Sequence, residues 1–352
     1  MLPPQPPVDP IRLPPRMSDI ARQAGVSPST VSHVLSGRKG GARVSAKTAA
    51  EIRRIAARLN FHPSHAARQL RGVRSRVVAV LANNIFHQPQ LRAFSWLNHL
   101  ASTRGLETLA WETDSQSLSI DDYVGKCLAW NIDGLIFVTL DSAILGPKTA
   151  QALSRLPRVV SLFDDPGIPG GYCIDFDSAA GVRQAVAHLH GAGRRKIIQI
   201  LENLDTPMSR RRRQAFLAAH QELGRPLAED QVCLATQGWD RDDFPKFAAL
   251  CDELIDGRGG DAILADNDFT AASLAKALQR RGLRVPDDVA VIGWGNETLA
   301  GWMNPALSSV NYRMQDMVTA ALDLLTGLIE EPDKMRQPTI VIKPELILRE
   351  SG

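Results

Sequence analysis

Three groups of residues have types and spacing that could do chemistry. Ser29 and His33 stand four apart, Arg210-Arg211-Arg212-Arg213 is a run of four guanidinium groups, and Asp266-Asn267-Asp268 sets an amide between two carboxylates. None is a catalytic constellation. The chain carries no GxSxG elbow, no GxxxxGK[ST] loop and no HExxH pair. Gly257-Arg258-Gly259-Gly260 comes before a strand-like run, the wrong order for a phosphate cradle, and reads as a turn. Cys127, Cys173, Cys233 and Cys251 are scattered without a CxxC pair, so neither a zinc site nor a disulfide framework is expected. The expectation is a protein that is not an enzyme and holds no cofactor and no metal. What remains is recognition. Hydroxyl and imidazole groups on one helix face can meet base edges or phosphates. A guanidinium can hold vicinal hydroxyls, a carboxylate or a phosphate with paired bonds. The Asp-Asn-Asp run can bind a ligand or cap a helix through Asn267.

The elements that must position these groups divide the chain in two. Its 352 residues are too many for one ordinary core. Residues 1–76 hold 14 Lys and Arg against 3 Asp and Glu, leaving 27 against 35 for the remainder. A net +11 at one end and −8 over the rest suggests a basic head that seeks a polyanion, either nucleic acid or an anionic membrane surface. No apolar run approaches the roughly 18 residues of a membrane helix. Residues 1–16, MLPPQPPVDPIRLPPR, have no apolar core of a signal peptide, and their prolines predict a disordered extension that can lie upstream of a natural start at Met17. A reduced, cytoplasmic protein with no membrane partner is expected.

Residues 17–62 read as three short helices. Ser18 is placed to cap the first, with Ile20, Ala21 and Ala24 on one face. Gly25-Val26-Ser27 makes the turn, Gly25 tolerating a positive φ. Ser27 caps the second helix and Pro28 takes its first position, where a missing N–H costs nothing. Val31, Val34 and Leu35 turn inward while Ser29 and His33 share the outer face. After a basic loop that includes Arg43, Ser45 caps a third helix, amphipathic through Ile52, Ile55, Ala56 and Leu59. This is the pattern of a helix-turn-helix unit; a three-helix bundle with no DNA role is the alternative. Residues 63–76 hold one more helix, too short to persist alone, in which Leu70 is either free or packed on the body. From Val77 onward strands alternate with helices: 77–81, 107–111, 134–138, 159–162, 173–174, 197–200, 232–234, 262–264 and 289–292. That order predicts an α/β body of parallel sheets with right-handed crossovers. A small ligand is expected in the cleft at their strand ends.

The run Ile20-Ala21-x-x-Ala24-Gly25-Val26-Ser27-x-x-Thr30-Val31-Ser32-x-Val34-Leu35 resembles the head of the LacI family of bacterial repressors. Val44-Ser45-x-x-Thr48 and Asn60-Phe61-x-Pro63-Ser64 continue the match. Further on, Ala187-His188-Leu189, Gly282-Leu283-Arg284-Val285-Pro286-Asp287-Asp288-Val289 and Pro305-x-Leu307-Ser308-Ser309-Val310 also follow the family. The resemblance implies a two-lobed body of the periplasmic-binding-protein type I fold. Lobe one is expected over about 77–175 and 308–337, lobe two over about 176–307 and 338–352. It implies base reading from Pro28, Ser29 and His33, and phosphate contacts from Ser18, Ser27, Thr30, Ser32 and Arg43. It implies a paired hinge helix over 63–76, with Ser64, Ala67 and Arg71 at the DNA and Leu70 wedged into the minor groove. For the effector it implies Asn84 and Phe86 after the first strand, Asp164, Arg212, Asn267, Asp268 and Asn296. One departure is plain: Gly293-Trp294-Gly295-Asn296-Glu297 stands where the family often has Gly-aromatic-Asp-Asp, and Asp164-Asp165 replaces its usual Asp-Arg. These changes put an ordinary hexose in question and favour a sugar derivative or acidic metabolite.

The function expected is a DNA-binding transcription regulator, a repressor or less often an activator. It would bind a near-palindromic operator as a homodimer, with affinity set by a sugar or related metabolite. A solute-binding protein, an enzyme on an α/β body and a regulator without effector are the alternatives. His33 supplies a direct test. In His33→Ala, discrimination at one base pair per half-site should fall by about 1–3 kcal/mol. Equal loss on specific and random duplexes in a gel-shift series would remove His33 from base reading.

Overall fold

A computed structural model of the chain describes residues 15–36, 44–61, 74–83, 88–113, 119–138, 147–165, 167–202, 206–225, 227, 231–234, 244–334 and 336–352. It divides into two compact units, one ending at Ser75 and one running from Arg76 to Gly352.

In the first unit the helices are Met17–Ala24, Pro28–Ser36 and Ala46–Arg58. Ile20, Ala21, Val31, Val34, Ile52, Ile55 and Ala56 are buried together, and Ala24, Val26, Leu35 and Leu59 pack against them. Gly25 takes φ 66, the left-handed value a tight corner between two helices needs. Capping follows expectation at two of three helices. Ser27 Oγ accepts from Thr30 N–H at 3.2 Å, and Ser45 Oγ accepts from Thr48 N–H at 3.1 Å. Ser18 does not cap the first helix, because the helix already begins at Met17. There the Asp19 carboxylate reaches back to the Arg16 N–H at 2.9 Å, a capping-box bond that leaves the Ser18 hydroxyl exposed.

The second unit holds two six-stranded sheets. The first has the order β11(Thr339–Ile342), β5(Tyr172–Phe176), β4(Val159–Leu162), β3(Gly134–Val138), β1(Val77–Asn83), β2(Glu107–Thr113). All its pairs are parallel. The second has the order β12(Glu345–Ile347), β10(Ser308–Asn311), β9(Ala290–Trp294), β8(Ala262–Leu264), β6(Ile197–Leu201), β7(Val232–Leu234). Only β12 runs antiparallel to its neighbour. Strands such as Gly134–Val138, and Ile197–Leu201 with its one polar residue Gln199, are buried along their whole length, as strands covered by helices on both faces must be.

The chain passes between the lobes three times: after Phe176, at Tyr312-Arg313 and at Lys343-Pro344. Two of these crossings lie elsewhere than expected. Residues 308–311, expected in lobe one, pair in parallel with β9 in lobe two, Ser308 opposite Ile292. The turn is delayed until Arg313, whose φ of 58 reverses the chain into the helix Met314–Glu330. That long helix packs in lobe one, so the short segment after it is still there: Thr339 lies opposite Cys173 on β5, and lobe two begins again only after Pro344.

Four aromatic rings sit at the crossings. Phe163 and Phe176 of the first lobe and Trp294 and Tyr312 of the second meet edge to face or tilted, with centroids 4.9–6.3 Å apart. All four are buried. Such rings add about 0.5–1.5 kcal/mol per pair beyond the area they bury. Phe176→Ala should therefore cost the body about 3–5 kcal/mol in urea unfolding. A loss below about 1 kcal/mol, the range of an ordinary surface change, would show that the cluster does not join the lobes.

Candidate functional site

The outer face of Pro28–Ser36 carries the groups suited to DNA. Pro28 and Ser29 are exposed, and Thr30, Ser32 and His33 are half-buried. The Ser27 hydroxyl lies 2.7 Å from that of Ser29 and 2.9 Å from that of Thr30, so three hydroxyls cluster at the start of the helix. Free N–H groups and the helix dipole make such an end favourable for a phosphate. Arg43, Ser64, Ala67, Leu70 and Arg71 lie outside the described residues.

The second site forms at the C-terminal ends of the lobe-two strands. The helix Pro207–Glu222 follows β6, capped by Thr206, and its arginine run divides by face. Arg210 is exposed, Arg211 and Arg213 are half-buried, and Arg212 keeps only 2% of its surface. The Arg212 guanidinium meets groups from three loops. It bonds the Asp266 carboxylate and, at 3.0 Å, the Asp266 carbonyl. It also donates to the Tyr312 hydroxyl at 3.3 Å and lies 3.8 Å from the centre of the Trp294 ring. Its Nε has no hydrogen-bond partner among the described residues, nor does Trp294 Nε1. Burial pushes the Tyr312 hydroxyl up to about 12, against the pull of Arg212.

The remaining expected effector residues lie around this cation in different roles. Asn267 caps the helix Asp268–Arg280, its side-chain oxygen accepting from Thr270 N–H at 2.8 Å. Asp268 is buried, and each of its oxygens already accepts a bond at 2.6 Å, one from the Ser309 hydroxyl and one from Glu297 N–H. Burial raises its pKa against those two bonds. Asn296 turns its side-chain oxygen to Arg349 at 2.7 Å and donates its N–H to Ser309 at 2.9 Å. Asn84 and Phe86 lie outside the described residues.

Two arginines form ion pairs across the lobes, and no spacing in the sequence signals these pairs. Arg211 of lobe two reaches Asp164 at 2.9 Å and Asp175 at 3.6 Å in lobe one. Arg92 of lobe one donates to the carbonyls of Gly295 and Asn296 at 3.2 and 2.9 Å and stands 3.4 Å from Glu297. Burial holds the Asp164 carboxyl above its usual range despite Arg211, and pushes Asp175 up to about 6.

Catalytic groups do not gather here. Cys127, Cys173 and Cys251 are buried free thiols, and burial pushes Cys127 up to about 11 and Cys173 to about 12, far from a nucleophilic thiolate. Among the described residues there is no group of three metal-ligating side chains, and no helix is long and apolar enough to cross a membrane.

Residues 16–64 match the description "Bacterial regulatory proteins, lacI family", and residues 186–352 match "Periplasmic binding protein-like domain". The chain belongs to the LacI family. It is 26% identical to the HTH-type transcriptional regulator DegA of Bacillus subtilis (strain 168), over 95% of this chain and 96% of that one. It is likewise 26% identical to the ribose operon repressor of Escherichia coli (strain K12), over 96% and 99%. A lac repressor dimer bound to operator and the anti-inducer ONPF has the same fold, with a TM-score of 0.82 over 96% of this chain and 99% of that one at 22% identity. This LacI-family chain is thus a DNA-binding transcription regulator and not an enzyme.

Within that frame the Arg211 latch has a pH signature. Asp175 holds its proton to about pH 6 in the folded chain, above its usual range near 3.9. Between those values the folded state binds more protons than the unfolded one, so stability falls as pH rises. The melting temperature of wild type relative to Asp175→Asn should therefore decline from pH 4 to pH 6 and then level off. A flat difference across that window would refute the assignment.

Proposed function

We propose that this LacI-family regulator is a cytoplasmic repressor. It binds a near-palindromic operator as a homodimer, and a sugar or sugar derivative between its lobes sets its operator affinity. The buried Arg212 carries the reading. A guanidinium removed from water at strand ends is a costly arrangement for stability alone, and that location is where open α/β sheets bind small ligands. Its partners Tyr312 and Trp294 belong to the aromatic cluster that joins the lobes, so a ligand that moves Arg212 also moves the junction.

Charge favours a neutral ligand. Arg92, Arg212 and Arg349 are matched by Asp266, Asp268 and Glu297 around the site. Relatives point the same way: the Escherichia coli protein is a ribose operon repressor, and a CelR–cellobiose complex shares the fold at a TM-score of 0.68 and 25% identity. In this reading Arg212 clamps ligand hydroxyls, Asp268 and Asn267 hold the surrounding loops, Asn296 and Asp164 line the junction, and Asn84 and Phe86 approach from lobe one.

The head acts through Pro28, Ser29 and His33 on bases and through Ser18, Ser27, Thr30, Ser32 and Arg43 on phosphates. The hinge adds Ser64, Ala67 and Arg71, with Leu70 as a minor-groove wedge. Dimerisation has support in the turn Thr298–Trp302, which leaves Leu299 55% and Trp302 83% exposed. Large apolar side chains left on one turn suit an isologous interface. Coupling follows from linkage: a ligand shifts the lobes only by its differential affinity for their arrangements, and the effect is reciprocal.

The test uses operator duplexes selected from a random pool, with ribose, cellobiose and lactose titrated against the complexes. Wild type should change its operator affinity about 5–150-fold with one of them. Arg212→Lys should bind operator as wild type does and ignore the sugar. An Arg212→Lys protein that responds at the wild-type sugar concentration would remove Arg212 from the ligand site.

A further inference from the structure

We infer that Glu297 is a ligand-anchoring residue of this cleft, its carboxylate accepting hydrogen bonds from the hydroxyls of a neutral sugar at the corner beside Gly295. The inference rests on the effector reading above and adds to it a residue and a ligand charge.

Four observations carry it. Both Glu297 carboxylate oxygens are buried and neither has a hydrogen-bond partner among the described residues. Buried carboxylates are ordinarily bonded, and one that is not costs stability, so a purely structural role is poorly served. The turn does not need this side chain: it is the Glu297 N–H that binds Asp268, at 2.6 Å.

The carboxylate also stands where a side chain from position 295 would project. A Cβ on Gly295 would lie 3.2 Å from Glu297 Oε1 and 3.7 Å from Asp268 Oδ2. Gly295 has φ 124, a value that side-chain-bearing residues rarely adopt, so no residue at 295 can place an acid there without strain. Glu297 fills that place from two positions along the chain.

The group faces the lobe junction. Arg92, on the lobe-one helix Gln88–Thr103, gives its hydrogen bonds to the carbonyls of Gly295 and Asn296 and approaches Glu297 Oε2 only to 3.4 Å. One ion pair of that length leaves acceptor capacity on both oxygens. Finally, the neighbouring charges balance, so a neutral ligand with O–H donors meets the carboxylate without the repulsion that an anion would feel from Asp268 and Glu297 together.

Protonation gives the role a readout. Burial pushes Glu297 up to about 7, with Arg92 drawing it down and Asp268 driving it up; the Tyr312 hydroxyl is the further titratable group that senses it. Above that pH the side chain is an acceptor on both oxygens, and below it one oxygen carries a proton. Affinity for a hydroxylated ligand therefore rises with pH through about 7.

The experiment is calorimetric titration of the full chain and of Glu297→Gln with ribose, cellobiose and lactose, and with gluconate and glucosamine as charged comparisons, at pH 6 and 8. Wild type should bind a neutral sugar, more tightly at pH 8. Glu297→Gln should bind it about tenfold or more weakly, with the pH dependence gone, and should melt no lower than wild type without ligand. Equal sugar binding by both proteins, or a Glu297→Gln chain that melts several degrees lower, makes the group structural and overturns the inference while the effector reading stands. Binding of gluconate or glucosamine alone overturns the neutral-sugar assignment. A wild type that binds operator but none of the five compounds overturns the effector reading and this inference with it.

Discussion

A guanidinium taken almost wholly out of water must be met on several sides at once. Desolvation of one ion costs several kcal/mol even after the protein relaxes. Arg212 is met by a carboxylate, a carbonyl, a phenol and an indole face. Those partners lie just past β8, at the end of β9 and just past β10. One buried cation therefore ties together three adjacent strand ends of lobe two. Because Tyr312 also packs 5.5 Å from Phe163 and 4.9 Å from Phe176, the same cation is linked to lobe one through aromatic contact. Its placement depends on helix phase: turning Pro207–Glu222 by one residue would bring a neighbouring arginine inward.

The ion pairs at the junction are of another kind. Arg211 and Arg92 keep 39% and 30% of their side chains exposed, while the carboxylates they face across the lobes, Asp164 and Glu297, keep 3% and 10%. The burial cost thus falls mainly on the acids, which is why Asp164, Asp175 and Glu297 hold their protons more firmly than free carboxylic acids do. Pairs of this type stabilise one lobe arrangement without making it permanent. A ligand that supplies better partners to the same acids can change the balance, whereas the aromatic cluster is apolar and offers a ligand no such exchange.

Much of this was legible in the sequence because it rests on local signals. The head reads from its caps, its Gly25 turn and the 3.6-residue spacing of Ile52, Ile55, Ala56 and Leu59. Nine strands of the body read from apolar runs and turn residues. The three strands that were missed, Ser308–Asn311, Thr339–Ile342 and Glu345–Ile347, are short, partly polar, and flank the lobe crossings. Their identity depends on which sheet accepts them, a tertiary fact that local periodicity cannot carry. Arg212 was legible through family spacing within a run that otherwise resembles a solvated face. The pairing of Arg212 with Asp266 and Tyr312, and of Arg92 with Glu297, was not, since these contacts span 54 to 205 positions of chain, and no spacing rule reaches that far.

The departure at 293–297 also has a physical reason once the backbone is in view. Any Cβ at Gly293 would collide with the Asp268 carboxylate, so this glycine is needed for Asp268 to reach Ser309 and the Glu297 N–H. Asp268 in turn holds the following turn where Gly295 takes φ 124. Two glycines therefore surround one buried acid, and an aspartate at 295 would be both strained and in repulsive range of Asp268. The chain keeps a second acidic group at this corner by carrying it on a longer side chain two residues later, where the backbone is unstrained: Glu297 takes φ −68 and ψ 158. Replacing Gly295 by Asp in search of a more ordinary sugar site would thus disturb the turn before it could change the ligand.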